Sequence, residues 1–129
     1  MEYKKDFDKW NIEKQSVQKR QRVYFKEREI WWVHIGLNVG IEQDGNLKFY
    51  SRPVLIYKKI NNISFVCLPL THTLSHDSAN FAIYFNDDLH TVRIAQIRVL
   101  DSKRLDEKIG TISEVLFSKI KNTVTAYLA

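Results

Sequence analysis

With a single cysteine, Cys67, this chain of 129 residues has no disulfide of its own to staple it, and its fold must rest on packing. There are two prolines and four glycines, so few positions are barred from regular structure. No apolar run approaches membrane-spanning length; the longest are pieces such as "FVCLPL" (65–70). The first residues, "MEYKKDFDKW", contain no apolar core of a secretory signal, so a cytoplasmic protein away from membranes is expected. Phosphate-binding glycine loops and a Ser-His-Asp order are missing too, and with them the signs of a bound nucleotide or other cofactor. Cys67 has no partners at zinc-ligand spacing, and His72 and His76 lie in a loop, so no metal site is expected. His34 and His90 are expected as surface or half-buried strand residues.

What is present is charge in one place and β-formers in another. The segment 14–28, "KQSVQKRQRVYFKER", carries six Lys or Arg against one acid, Glu27. That segment alone carries a charge equal to the chain's net +5, leaving the remainder close to neutral. A basic segment beside Tyr24 and Phe25 suits a polyanion; a solvated helix face explains it equally well. Phe7, Trp10, Lys14 and Val17 follow helical spacing, so residues 3–20 are expected to form a helix.

From Glu29 the pattern turns to strands. "EIWWVHI" (29–35), "PVLIYKK" (53–59), "NISFVCLPL" (62–70) and "FAIYF" (81–85) read as four, with "NDDLH" (86–90) as a turn. "TVRIAQIRVLD" (91–101) reads as two short strands bent about Ala95. Between the first two lies a glycine-bearing loop, 36–46. From Ser113 to Leu128 the spacing is helical, with Gly110 and Thr111 near its start and Thr111 or Ser113 as N-cap. The expected class is mainly β (α+β): a small, strongly curved antiparallel barrel of five or six strands, with a C-terminal helix and an added N-terminal helix. The domain division is 1–27 as a basic extension and 28–129 as the barrel.

One position stands out. Arg52 precedes Pro53 at the mouth of an apolar strand, where the proline marks a strand start and holds Arg52 extended. If Lys58 faces Ile63 across the hairpin, Arg52 falls opposite Pro69, with Thr71 a diagonal neighbour. A forked cation beside a hydroxyl can cradle a phosphate. A strand-end arginine lying over the surface, with a turn-capping threonine, is the simpler alternative. Of Trp31 and Trp32, alternation sends one to the core and leaves the other for a dimer or partner surface.

Five stretches then occur in order: "REIWWVHIG" (28–36), "VGIEQDG" (39–45), "RPVLI" (52–56), "LPLT" (68–71) and "QIRVLDSKRL" (96–105), followed by "GTIS" (110–113). Together they resemble the MazF/PemK toxins of bacterial toxin–antitoxin systems. The resemblance implies an SH3-like barrel that forms homodimers and cuts single-stranded RNA at short sequences without a metal. It also implies a cognate antitoxin that blocks the groove. Attack of a ribose 2′-hydroxyl on the adjacent phosphate would leave a cyclic phosphate and a 5′-hydroxyl end. By the resemblance, Arg52 and Thr71 are catalytic, and Arg93 falls where some members carry a cleaving arginine. Glu42 and Gln43 border the RNA groove, and Gln96 and Arg98 belong to the "QIR" stretch, with Asp101 after it. Phe49 and Tyr50 are candidates for base stacking, or for packing down to order a long loop. His72, beside Thr71, is a candidate RNA contact and base by location. Three departures stand out: Ala95 replaces an acidic residue of many members, "NLKFYS" lengthens the loop before Arg52, and residues 1–27 precede the compact form. The loss at Ala95 keeps a second reading open, a catalytically impaired barrel that binds RNA or protein.

Overall fold

The computed structural model describes residues 22–35, 51–72 and 79–129. The expected helix over 3–20, the loop bearing Glu42, Gln43, Phe49 and Tyr50, and His76 lie outside those residues. The described elements are β1 (Glu29–His34), β2 (Ser51–Lys59), β3 (Ser64–Thr71), β4 (Asn80–Phe85), β5 (Asp88–Arg93), β6 (Arg98–Asp101), β7 (Leu105–Thr111) and α1 (Glu114–Leu128). The strands join antiparallel in the order β4-β5-β3-β2-β1-β7, and β6 pairs with β3. This is the expected curved antiparallel sheet closed by one helix, with seven strands where five or six were expected.

β3 bends the sheet. Its first half pairs with β6 as far as Cys67↔Arg98, and its end pairs with β5 at Leu70↔Val92 and Thr71↔Thr91. Pro69 falls between these two partners, where no ladder on that side calls for its missing N–H. The chain between β5 and β6 turns through a single 3-10 turn, Ile94–Gln96, so the expected bend about Ala95 is present.

Because side chains alternate across a strand, the sheet buries both faces. Leu55, Leu68 and Leu70 join Ile30, Val92 and Ile94 on one side, where Phe117, Ile120 and Val124 of α1 cover them. Val54, Ile56, Phe65 and Cys67 join Phe25, Trp31 and Leu100 on the other. Fully burying side chains of this size stabilises the fold by about 1.5–3 kcal/mol each. Ser113 caps α1, its Oγ accepting from the Leu116 N–H at 3.1 Å. The buried face of α1 is Phe117, Ile120 and Val124, and Val115 is exposed.

Three expectations need correction. The turn between β4 and β5 is Asn86–Asp87 alone, both in the left-handed region (φ 52° and 62°) that a two-residue hairpin of this type demands. Leu89 and His90 therefore belong to β5. Gly110 lies in β7, not at a helix start; a Cβ there would stand 2.5 Å from Cζ of Phe85. And Pro53 does not open its strand: Ser51 and Arg52 are already paired with His34 and Val33 of β1. Pairing with β3 begins only at Val54, so the prolyl nitrogen meets no ladder there.

Candidate functional site

The register of the β2–β3 hairpin decides where Arg52 meets the returning chain. Val54 pairs with Pro69, Leu55 with Leu68 and Ile56 with Cys67, after which a bulge between Ile56 and Lys58 absorbs an extra residue. The expected pairing of Arg52 with Pro69 is thus displaced by two residues. A two-residue shift keeps every side chain on its face. The ladder ends at Val54↔Pro69; extrapolated two residues further, the same register would put Arg52 opposite Thr71.

Both residues line a cleft of about 320 Å³. Its apolar floor is formed by Ile30, Trp32, Pro53, Leu70 and Ile109, and the tip of the β4–β5 hairpin closes it with Phe85, Asn86 and Asp88. That volume lies at the small end of ligand-site sizes. Trp31 points to the core at 6% exposure, leaving Trp32 for the cleft. Arg52 is 7% exposed, an uncommon depth for a cation.

Two histidines complete the rim. His72 follows Thr71, and His90 arrives from β5; their ring centroids are 4.5 Å apart with the planes tilted by 36°. The Nδ1 of His72 lies 3.3 Å from the carbonyl oxygen of Leu89. A carbonyl can only accept, so this contact is a hydrogen bond when Nδ1 carries the proton, the neutral tautomer that leaves the lone pair on Nε2. Burial, followed by the His72 ring, pushes the His90 imidazole below its ordinary value, against the opposing pull of Asp88 and of a backbone hydrogen bond at Phe85. Neither periodicity nor spacing marks His90 in the sequence; the signal is positional, arising only once β5 is laid beside the end of β3.

The remaining expected residues lie elsewhere. Arg93 pairs with Asn80 at the far end of β5, and neither it, Gln96 nor Arg98 lines the cleft. Arg98 sits opposite Cys67, whose thiol burial pushes up to about 12, with the Arg98 charge pulling weakly against it. Asp101 holds a turn, accepting from the Lys103 N–H at 2.8 Å and from Arg22 at 3.1 Å. His34, expected as a surface or half-buried strand residue, is buried at 5% exposure, 4.0 Å from Asp106.

The family model for PemK-like, MazF-like toxins of type II toxin–antitoxin systems matches residues 26–128. The chain belongs to the MazF/PemK toxin family. A solved structure described as an endoribonuclease in complex with its cognate antitoxin, from a mycobacterial species, matches this toxin-family chain with a TM-score of 0.65 at 16% identity. The match covers 81% of this chain and 95% of that one. The Mycobacterium tuberculosis toxin MazF-mt6 matches at 0.59 and 14% identity, over 77% of this chain and 94% of its own. A further toxin from the same organism reaches 0.51 at 16% identity, over 58% and 90%. At such identities the likeness is one of fold: the MazF-like barrel. No curated protein matches the sequence. Among the described residues, no helix is long and apolar enough to cross a membrane.

Proposed function

We propose that this MazF/PemK-family chain is an endoribonuclease toxin that cuts single-stranded RNA at short sequences, by 2′-hydroxyl attack and without a metal. The observation that carries the reading is the convergence of Arg52 and Thr71 on one cleft, from the open ends of two paired strands. Cleavage through the 2′-hydroxyl restricts the substrate to RNA. As the 2′-oxygen bonds to phosphorus, negative charge grows on the non-bridging oxygens. The Arg52 guanidinium and Thr71 hydroxyl are donors suited to that charge. The His72 Nε2 lone pair takes the 2′-hydroxyl proton. The bond to the 5′-oxygen then breaks, and that oxygen takes a proton from solvent. Trp32 offers an aromatic face on the cleft floor for an unpaired base.

The same reading gives the toxin a cognate antitoxin that occupies the cleft, a homodimeric state, a cytoplasmic site of action and a division into a basic extension (1–27) and a barrel (28–129). Arg52→Ala is the direct test. Cleavage of a mixed single-stranded RNA is expected to fall by about 10²–10³, as for loss of one transition-state donor. An Arg52→Ala protein that cleaves at the original rate with the same ends overturns the assignment. RNA binding without cleavage by the unaltered chain would instead establish the barrel as a binding module.

A further inference from the structure

His72, just past the end of β3, meets Asp88 and His90 of β5, and together the three offer a donor set in which only His72 has a part in the cleavage proposed above. One ligand atom from each of His72, Asp88 and His90 lies within 4.8 Å of the others. On a tetrahedral ion with metal–nitrogen bonds of 2.0–2.1 Å, neighbouring donors sit about 3.3 Å apart. Closing that difference falls to the exposed Asp88 carboxylate, since His72 is held against the Leu89 carbonyl and His90 is half-buried in β5. The hydrogen bond from His72 Nδ1 to the Leu89 carbonyl is the arrangement that metal-bound imidazoles use to orient the ring and present the other nitrogen.

We propose that His72, Asp88 and His90 bind a zinc-class divalent transition metal at the mouth of the cleft, and that its binding switches off RNA cleavage. The site itself rests on geometry; the switch rests on the function proposed above. Two imidazoles and one carboxylate favour a borderline ion such as zinc over magnesium, which prefers an all-oxygen shell. Three protein ligands leave one position for water. The metal takes the His72 Nε2 lone pair, the same pair that accepts the 2′-hydroxyl proton. It also stands beside Thr71, where the scissile phosphate must lie.

The test titrates the metal-free full-length chain with Co2+, read by its visible absorption, and with Zn2+ by calorimetry, with Mg2+ in parallel. One Co2+ or Zn2+ per chain is expected, with no Mg2+ uptake. Asp88→Asn and His90→Ala should each weaken Zn2+ binding by about tenfold or more, exceeding the smallest effects of outer-shell losses. RNA cleavage should fall in step with Zn2+ occupancy and recover with chelator. The cleavage that Asp88→Asn retains should need at least tenfold more Zn2+ for half-inhibition than that of the unaltered chain. Equal Zn2+ binding by the unaltered chain and an Asp88→Asn/His90→Ala double variant overturns the site. Full occupancy with undiminished cleavage overturns the switch. A chain that cleaves no RNA with or without chelator counts against the proposed function, and the Co2+ titration still decides the site.

Discussion

Arg52 and Thr71 belong to strands that pair antiparallel, and the Val54↔Pro69 register carries both to the lip of one cleft. Arg52 is held by its pairing with Val33 of β1 and Thr71 by its pairing with Thr91 of β5, so both sit in ladders and not in a loop. Substitutions at Thr71 should separate chemistry from packing. Thr71→Ser keeps the hydroxyl and should retain most activity, while Thr71→Val keeps the shape and should lose about 10²–10³ in kcat. Steady-state cleavage of a short RNA, with thermal unfolding as a control, reads both.

Glu29 fixes the edge where the N-terminal segment enters β1. Its carboxylate accepts from the Lys26 N–H at 2.8 Å and Trp31 Nε1 at 3.0 Å, and pairs with Lys108 at 2.8 Å. Burial pushes this carboxyl up, but the bonds from Lys108, Trp31 and Lys26 together outweigh it and hold it below the ordinary range. A depressed carboxylate adds stability above its unfolded value, about 4.3, and that stability is lost as the pH falls through the folded value. Urea unfolding should show Glu29→Gln destabilised by about 1–3 kcal/mol at pH 7. The difference from the unaltered chain should shrink below about pH 4.

Gly110 leaves room for Phe85. The Cβ of an alanine would stand 2.5 Å from Phe85 Cζ, so the ring, which also lines the cleft, must move. Gly110→Ala should cost about 1–3 kcal/mol by overpacking. Adding Phe85→Leu should return part of that loss, measured as a double-mutant coupling in thermal unfolding.

Cys67 is buried, and its thiol is pushed up to about 12. It should resist alkylation by iodoacetamide at neutral pH in the folded chain and react fully in denaturant, as intact-mass measurement would show.

Much of this was legible in the residues. Alternating apolar positions marked β1 to β4, helical spacing marked α1, and the Arg-Pro pair marked the strand that carries Arg52. The misses have physical causes. β7 reads "LDEKIGT", with too few apolar positions to show alternation; it is a strand because β1 supplies the ladder. The hairpin register was displaced because the connection is longer than expected: Lys58 pairs with Val66 and not with Ile63, an offset of three residues that the bulge after Ile56 reduces to two. His90 was passed over because an isolated strand does not reveal its neighbour. The cleft forms only when β5 closes on the end of β3, and that is a property of the bent sheet.

The most direct measurement maps the ends produced when the purified chain meets a long single-stranded RNA in the presence of chelator. Discrete cuts at a short recurring sequence, leaving 2′,3′-cyclic phosphates and 5′-hydroxyls and vanishing in Arg52→Ala, are the predicted result. Intact RNA, or fragments bearing 5′-phosphates, would contradict the account.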